Sequence, residues 1–73
     1  MPKLRVLSAA DVCRILRAHG FVEICQRGSH IIMKRQLPGW GITVPVPNHK
    51  EIARGTLKSI IEQSEISKDE FME

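Results

Sequence analysis

Residues 21–34, Phe-Val-Glu-Ile-Cys-Gln-Arg-Gly-Ser-His-Ile-Ile-Met-Lys, decide the fold. Two runs rich in apolar and β-branched side chains, Phe21 to Arg27 and His30 to Lys34, are separated only by Gly28 and Ser29. A two-residue link with glycine first predicts a tight hairpin, because glycine takes the positive φ that suits the twist of the flanking strands. That turn sets a register: Arg27 opposite His30, Gln26 opposite Ile31, Cys25 opposite Ile32, Ile24 opposite Met33 and Glu23 opposite Lys34. Side chains alternate between faces, so Val22, Ile24, Ile31 and Met33 are expected on a core face. Glu23, Cys25, Arg27, His30, Ile32 and Lys34 then form a wet face.

Upstream of the hairpin, Ser8 is a good helix N-cap with Asp11 three residues on, and Val12, Ile15, Leu16 and His19 recur at helical spacing. Gly20 follows where a left-handed C-terminal cap is wanted, which predicts a helix over about 9–19. Downstream, Gln36 to Gly41 reads as a loop or wide hairpin connection, and Ile42-Thr43-Val44-Pro45-Val46 alternates as a third strand. Pro45 has no N–H to give a ladder, so that strand belongs at an edge. Pro47 to Glu51 is a turn, with Asn48 and Glu51 at capping-box spacing. Leu57, Ile60 and Ile61 mark a second helix from near Gly55-Thr56 to about Ser64, with Thr56 as its expected cap. A last short helix should start at Ser67, which has capping-box spacing to Glu70, and Phe71 can fold back on the core. The order α-β-β-β-α describes an α+β domain whose helices cover one face of a three-stranded antiparallel sheet and leave the other open.

Composition agrees with a single domain spanning 1–73. Seventy-three residues, 42% hydrophobic and 26% charged, lie near the globular average, yet so short a chain holds one thin core and no deep cofactor cleft. No apolar run is long enough to cross a membrane, and Met1 to Arg5 lacks a signal-like stretch, so a cytoplasmic protein without membrane attachment is expected. Cys13 and Cys25 are too few for a disulfide framework and have no partners at zinc-ligand spacing, so both read as buried or half-buried hydrophobes. The formal charge of +3 is uneven. Residues 65–73 carry four acids against one lysine, which leaves residues 1–64 with ten bases against four acids, a net +6. A basic body of this kind favours an anionic partner such as nucleic acid.

The wet face holds the one constellation with chemistry in it. His30 stands beside Arg27 with Lys34 on the same face, and a neutral-range imidazole can accept a proton from a ribose 2′-hydroxyl or return one to a leaving 5′-oxygen. The same spacing also fits an ordinary surface histidine at the end of a hairpin. His19 at the end of a helix stripe reads as a partly buried or dipole-compensating residue. His49, beside Lys50 and near Arg54, can meet phosphate in a polar loop. Lys50, Arg54 and Lys58 gather at the start of the second helix, where backbone amides favour anions. Trp40 could stack on a base or plug the core edge. No phosphate-cradling glycine loop, Ser-His-Asp spacing or carboxylate cluster for a divalent ion is present in the sequence, so neither a metal nor another cofactor is expected.

From about Ser8 to Met72 the chain resembles the HicA family of bacterial and archaeal toxins, the messenger-RNA interferases of HicA-HicB toxin-antitoxin systems. The resemblance is carried by Gly20-Phe21, by Arg27-Gly28-Ser29-His30, by Ile42-Thr43-Val44-Pro45 and by Gly55-Thr56-Leu57-Lys58-Ser59-Ile60-Ile61, in that order. It implies a double-stranded-RNA-binding-domain-like fold and a catalytic histidine in the Gly-Ser-His motif, which falls on His30. It further implies an endoribonuclease acting on mRNA and held in check by a HicB-type antitoxin. On that basis Arg27, Lys34, Lys50, Arg54 and Lys58 are the expected RNA-binding residues, and Gly28 and Ser29 shape the turn that presents His30. A non-catalytic double-stranded-RNA-binding module of the same fold is the alternative. The chain departs from the family, which often has a glycine two residues after the second helix, where Glu65 stands here.

Overall fold

The computed structural model describes residues 6–71. Met1 to Arg5, read above for a signal, and Met72, where the resemblance ends, lie outside the described residues. The order is α1 (Ala9–Ala18), β1 (Val22–Arg27), β2 (His30–Leu37), β3 (Trp40–Pro47), α2 (Arg54–Ser64) and a short 3-10 helix (Lys68–Phe71). The strands form one antiparallel sheet in the order β1-β2-β3, so the proline-bearing β3 is an edge, as its sequence requires.

The core forms between the helices and one face of β2 and β3. Met33 pairs with Val44 and Ile31 with Val46, while Ile42 stands opposite Arg35. Met33, Ile42, Val44 and Val46 are buried there against Val12, Cys13 and Leu16 of α1 and Leu57 and Ile60 of α2. Phe21, just before β1, and Phe71, from the 3-10 helix, are buried in the same core. The opposite face of the sheet is open, as expected.

Local signals account for the start of α1. Ser8 takes an extended conformation and its Oγ accepts the Asp11 N–H at 3.1 Å, while Asp11 Oδ2 accepts the Ser8 N–H at 3.2 Å. The Ser8 backbone bond, then the Ser8 hydroxyl and then Arg14 hold the Asp11 carboxyl below its ordinary value of 3.8. A depressed carboxyl stabilises the fold above its unfolded pKa, and the benefit disappears as pH falls through the lower folded value. Ser8→Ala is expected to cost about 1 kcal/mol at neutral pH and to flatten the loss of stability on acidification. Urea unfolding of both proteins at pH 7 and below pH 4 checks this; identical curves would contradict it.

The hairpin keeps the expected register at its turn and loses it further away. Arg27 faces His30, Gln26 faces Ile31 and Cys25 faces Ile32, but Met33 faces Glu23 rather than Ile24, and Lys34 faces Val22 rather than Glu23. Ile24 is the extra residue of a β-bulge. One inserted residue exchanges the faces of everything beyond it, so Glu23 turns to the helix side, where it meets Arg17 at 3.7 Å. Val22, expected in the core, is 59% exposed on the open face, and Ile24 is 52% exposed beside it. Both cysteines behave as anticipated: Cys13 is buried and its thiol is pushed up by burial, while Cys25 is half-buried.

Three other boundaries differ. The β2–β3 link is a tight two-residue turn, not a wide loop: Leu37 pairs with Trp40 across Pro38 and Gly39, the latter at φ 80°. Proline followed by a positive-φ glycine is the pattern of a type II turn, and it extends both strands to Leu37 and Trp40. Second, α2 starts at Arg54 with Ala53 at the N-cap, so Thr56 does not cap it and no side chain bonds the first-turn amides. Third, Ser67 Oγ accepts only the Asp69 N–H at 3.3 Å, and no full capping box forms because the Glu70 carboxylate lies 3.2 Å from His19 Nε2.

The end of α2 is left-handed at Glu65, φ 59° and ψ 22°. A side chain in this conformation costs roughly 1 kcal/mol. Glu65→Gly is therefore expected to raise stability by up to about that amount, partly offset by the greater freedom of the unfolded glycine. An unchanged or lower thermal midpoint in calorimetry would contradict it.

Candidate functional site

The turn that carries His30 is held on both sides. Gly28 adopts φ 57°, which a Cβ would strain, although nothing lies within 4 Å of where that Cβ would sit. The glycine thus serves the backbone conformation and leaves the turn bare. The Gln26 side chain donates to the Gly28 carbonyl at 3.3 Å, and the Asn48 N–H donates to the Ser29 carbonyl at 2.6 Å. His30 follows on the open face, exposed, between Arg27 of β1 and Pro47 of β3 as strand partners.

The sequence-derived cations divide between the two ends of the sheet. Arg27 is the cross-strand partner of His30. Lys34 shares the open face but lies four residues along β2, about 13 Å away at ~3.3 Å per residue. Its side chain leans over Gly41, toward the far end, where its Cε is 3.0 Å from an ideal Cβ at that glycine. Lys50 lies in the segment that leaves β3 beside His30, and Arg54 opens α2 shortly after it. Lys58 is one helical turn past Arg54 on the same side of α2, about 6 Å further along the axis. Trp40 is 52% exposed at the end of the sheet far from His30, so it does not plug the core edge.

Charge at the His30 end is uncompensated. The ion pairs among the described residues are Arg14–Asp11, Arg17–Glu23 and His19–Glu70. Arg27, Lys50, Arg54 and Lys58 have no such partner among the described residues. An exposed imidazole beside unpaired Arg27 on an open sheet face makes a surface suited to an anion, and Lys50, Arg54 and Lys58 add unpaired positive charge in the segment and helix that follow β3.

The segment after β3 is where sequence reasoning fell short. Pro47 to Glu51 is not helical; His49 N–H bonds the Pro47 carbonyl at 2.8 Å, and the His49 carbonyl accepts the Ala9 N–H at 2.9 Å. These bonds, with Asn48 on Ser29, fold the segment under the His30 turn and bring exposed His49 to the same end of the sheet. A signal was available in the Pro38-Gly39 turn, whose tight reading counts β3 back to place Pro47 opposite His30.

Residues 9–66 match the family model described as the HicA toxin of bacterial toxin-antitoxin. The chain belongs to the HicA toxin family. No individual curated protein matches it. This HicA toxin is therefore one half of a toxin-antitoxin pair, with an antitoxin as its partner. Its Gly28-Ser29-His30 turn, Arg27 and the start of α2 all lie within the matched span, and none of its described helices is long and apolar enough to cross a membrane.

Proposed function

We propose that this HicA toxin is a metal-independent endoribonuclease that cleaves mRNA, with His30 as a general acid or base. The observation that supports it best is the exposure of His30 on the uncovered sheet face beside Arg27, its strand partner, which has no ion-pair partner among the described residues. Cleavage needs a proton removed from the 2′-hydroxyl as it attacks phosphorus and a proton delivered to the departing 5′-oxygen. An imidazole serves either step, contributing about 10²–10⁴-fold. Arg27, Lys50, Arg54 and Lys58 hold the backbone and offset charge that builds on the phosphorane, and Lys34 meets RNA further along the face.

A HicB-type antitoxin silences the toxin by covering this open face. Val22 and Ile24, turned outward by the bulge beside half-buried Ile32, give the protein partner apolar surface that RNA does not require. Amide shift changes confined to the helices on antitoxin binding would refute that placement. The activity itself is tested by incubating purified toxin with an mRNA in excess chelator. Fragments should accumulate. RNA retained intact on the protein would instead mean a binding module, and RNA neither bound nor cut would remove the nucleic-acid reading.

A further inference from the structure

We infer that His49 is the general acid that complements His30 as base, an inference that rests on the endoribonuclease reading. Transesterification of RNA moves two protons at two oxygens on opposite sides of phosphorus, and one imidazole cannot stand at both. The fold supplies a second one. Cα partners in an antiparallel ladder are about 5.5 Å apart or less, and two residues span at most about 7 Å, so the Cα atoms of His30 and His49 lie within about 13 Å. That bound is short enough for a phosphodiester to reach both residues. His49 is exposed, yet its backbone is fixed at both its N–H and its carbonyl.

The surrounding charges suit this division. His30 has Arg27 across the hairpin and Pro47 on its other side. Lys50 and Glu51 follow His49 in its own segment, Arg54 opens α2 a few residues on, and the His49 carbonyl bonds Ala9 in the first turn of α1, which also carries Asp11. In the step, His30 takes the 2′-hydroxyl proton, the 2′-oxygen forms its bond to phosphorus, and the bond from phosphorus to the 5′-oxygen breaks. His49 gives its proton to that oxygen. The products are a 2′,3′-cyclic phosphate and a 5′-hydroxyl, with the proton returned from His30 to His49 through water.

The test compares ordinary RNA with an RNA carrying a bridging 5′-phosphorothiolate, whose thiolate departs without protonation. His49→Ala should cleave ordinary RNA at least about 100-fold more slowly than the native toxin and cleave the phosphorothiolate at close to the native rate. His30→Ala should be slow on both. Equal slowing of His49→Ala on the two substrates, or no slowing on either, overturns the assignment. The native toxin is the control that separates the two claims, since failure to cleave either RNA sinks the endoribonuclease reading and this inference together. His49→Gln, which keeps a polar side chain but carries no proton to give, should match His49→Ala, and thermal melts of both confirm that the fold is intact.

Discussion

His30→Ala is expected to lower RNA cleavage by about 10²–10⁴-fold and to end growth arrest in cells producing the toxin without its antitoxin. The side chain is exposed and has no hydrogen-bond or ion-pair partner among the described residues, so its removal should change stability by less than about 0.5 kcal/mol. Antitoxin binding should survive, because a protein interface draws its affinity from buried apolar anchors more than from one rim imidazole. Single-turnover cleavage, a plate growth assay and calorimetry on one preparation separate these effects. Arrest by a folded His30→Ala toxin would remove His30 as the catalyst. Loss of activity together with folding would show that the turn, and not the ring, had been damaged.

Phe71→Ala should be among the most damaging single changes to stability, at about 3–5 kcal/mol. Phe71 is 0% exposed and is the only residue of the 3-10 helix that reaches the core. A domain of this size has roughly 4–11 kcal/mol in all, so the variant should be marginal or unfolded at 37 °C. The His19–Glu70 pair above it contributes far less, because both side chains are substantially exposed and an ion pair in water yields at most about 1 kcal/mol. His19→Ala should thus be mild where Phe71→Ala is severe. Chemical denaturation of the two variants ranks them, and comparable losses would mean that the polar contact, rather than burial, docks the C-terminal segment.

Much of this fold is written in short-range signals. Ser8 and Asp11 define the start of α1 by bonding each other's backbone, and Gly28-Ser29 fixes the hairpin over the residues nearest the turn. Register read from a turn holds only while every residue is paired. Ile24 breaks that condition, and no local signal marks it, since an apolar residue there fits a regular strand equally well. What favours the bulge is tertiary: Glu23 gains Arg17 of α1, and Phe21 enters the core. The start of α2 was misplaced for the opposite reason, because Thr56 is a good cap in isolation while the helix begins at Arg54, after an Ala53 N-cap that offers no side-chain bond.

The candidate site follows the same division. His30 and Arg27 were legible because two residues flanking a two-residue turn must pair. Lys34 was placed with them by face alone, and strand rise separates it from them along β2. His49 comes to the same end of the sheet because Pro47 pairs with His30, a register that follows only once Pro38-Gly39 is read as a tight turn, and the bond from Ala9 to its carbonyl is one no spacing rule anticipates. Glu65 shows the limit of local reading: the left-handed helix end falls on a residue whose type does not announce it.

The most direct test of the account is the chemistry of the cut ends. Native toxin should cleave RNA in excess chelator to fragments ending in 2′,3′-cyclic phosphate and beginning with 5′-hydroxyl, as imidazole-assisted attack by the 2′-oxygen requires. Fragments with 5′-phosphate, or cleavage that stops when chelator is added, would place the nucleophile on water or a metal and contradict it.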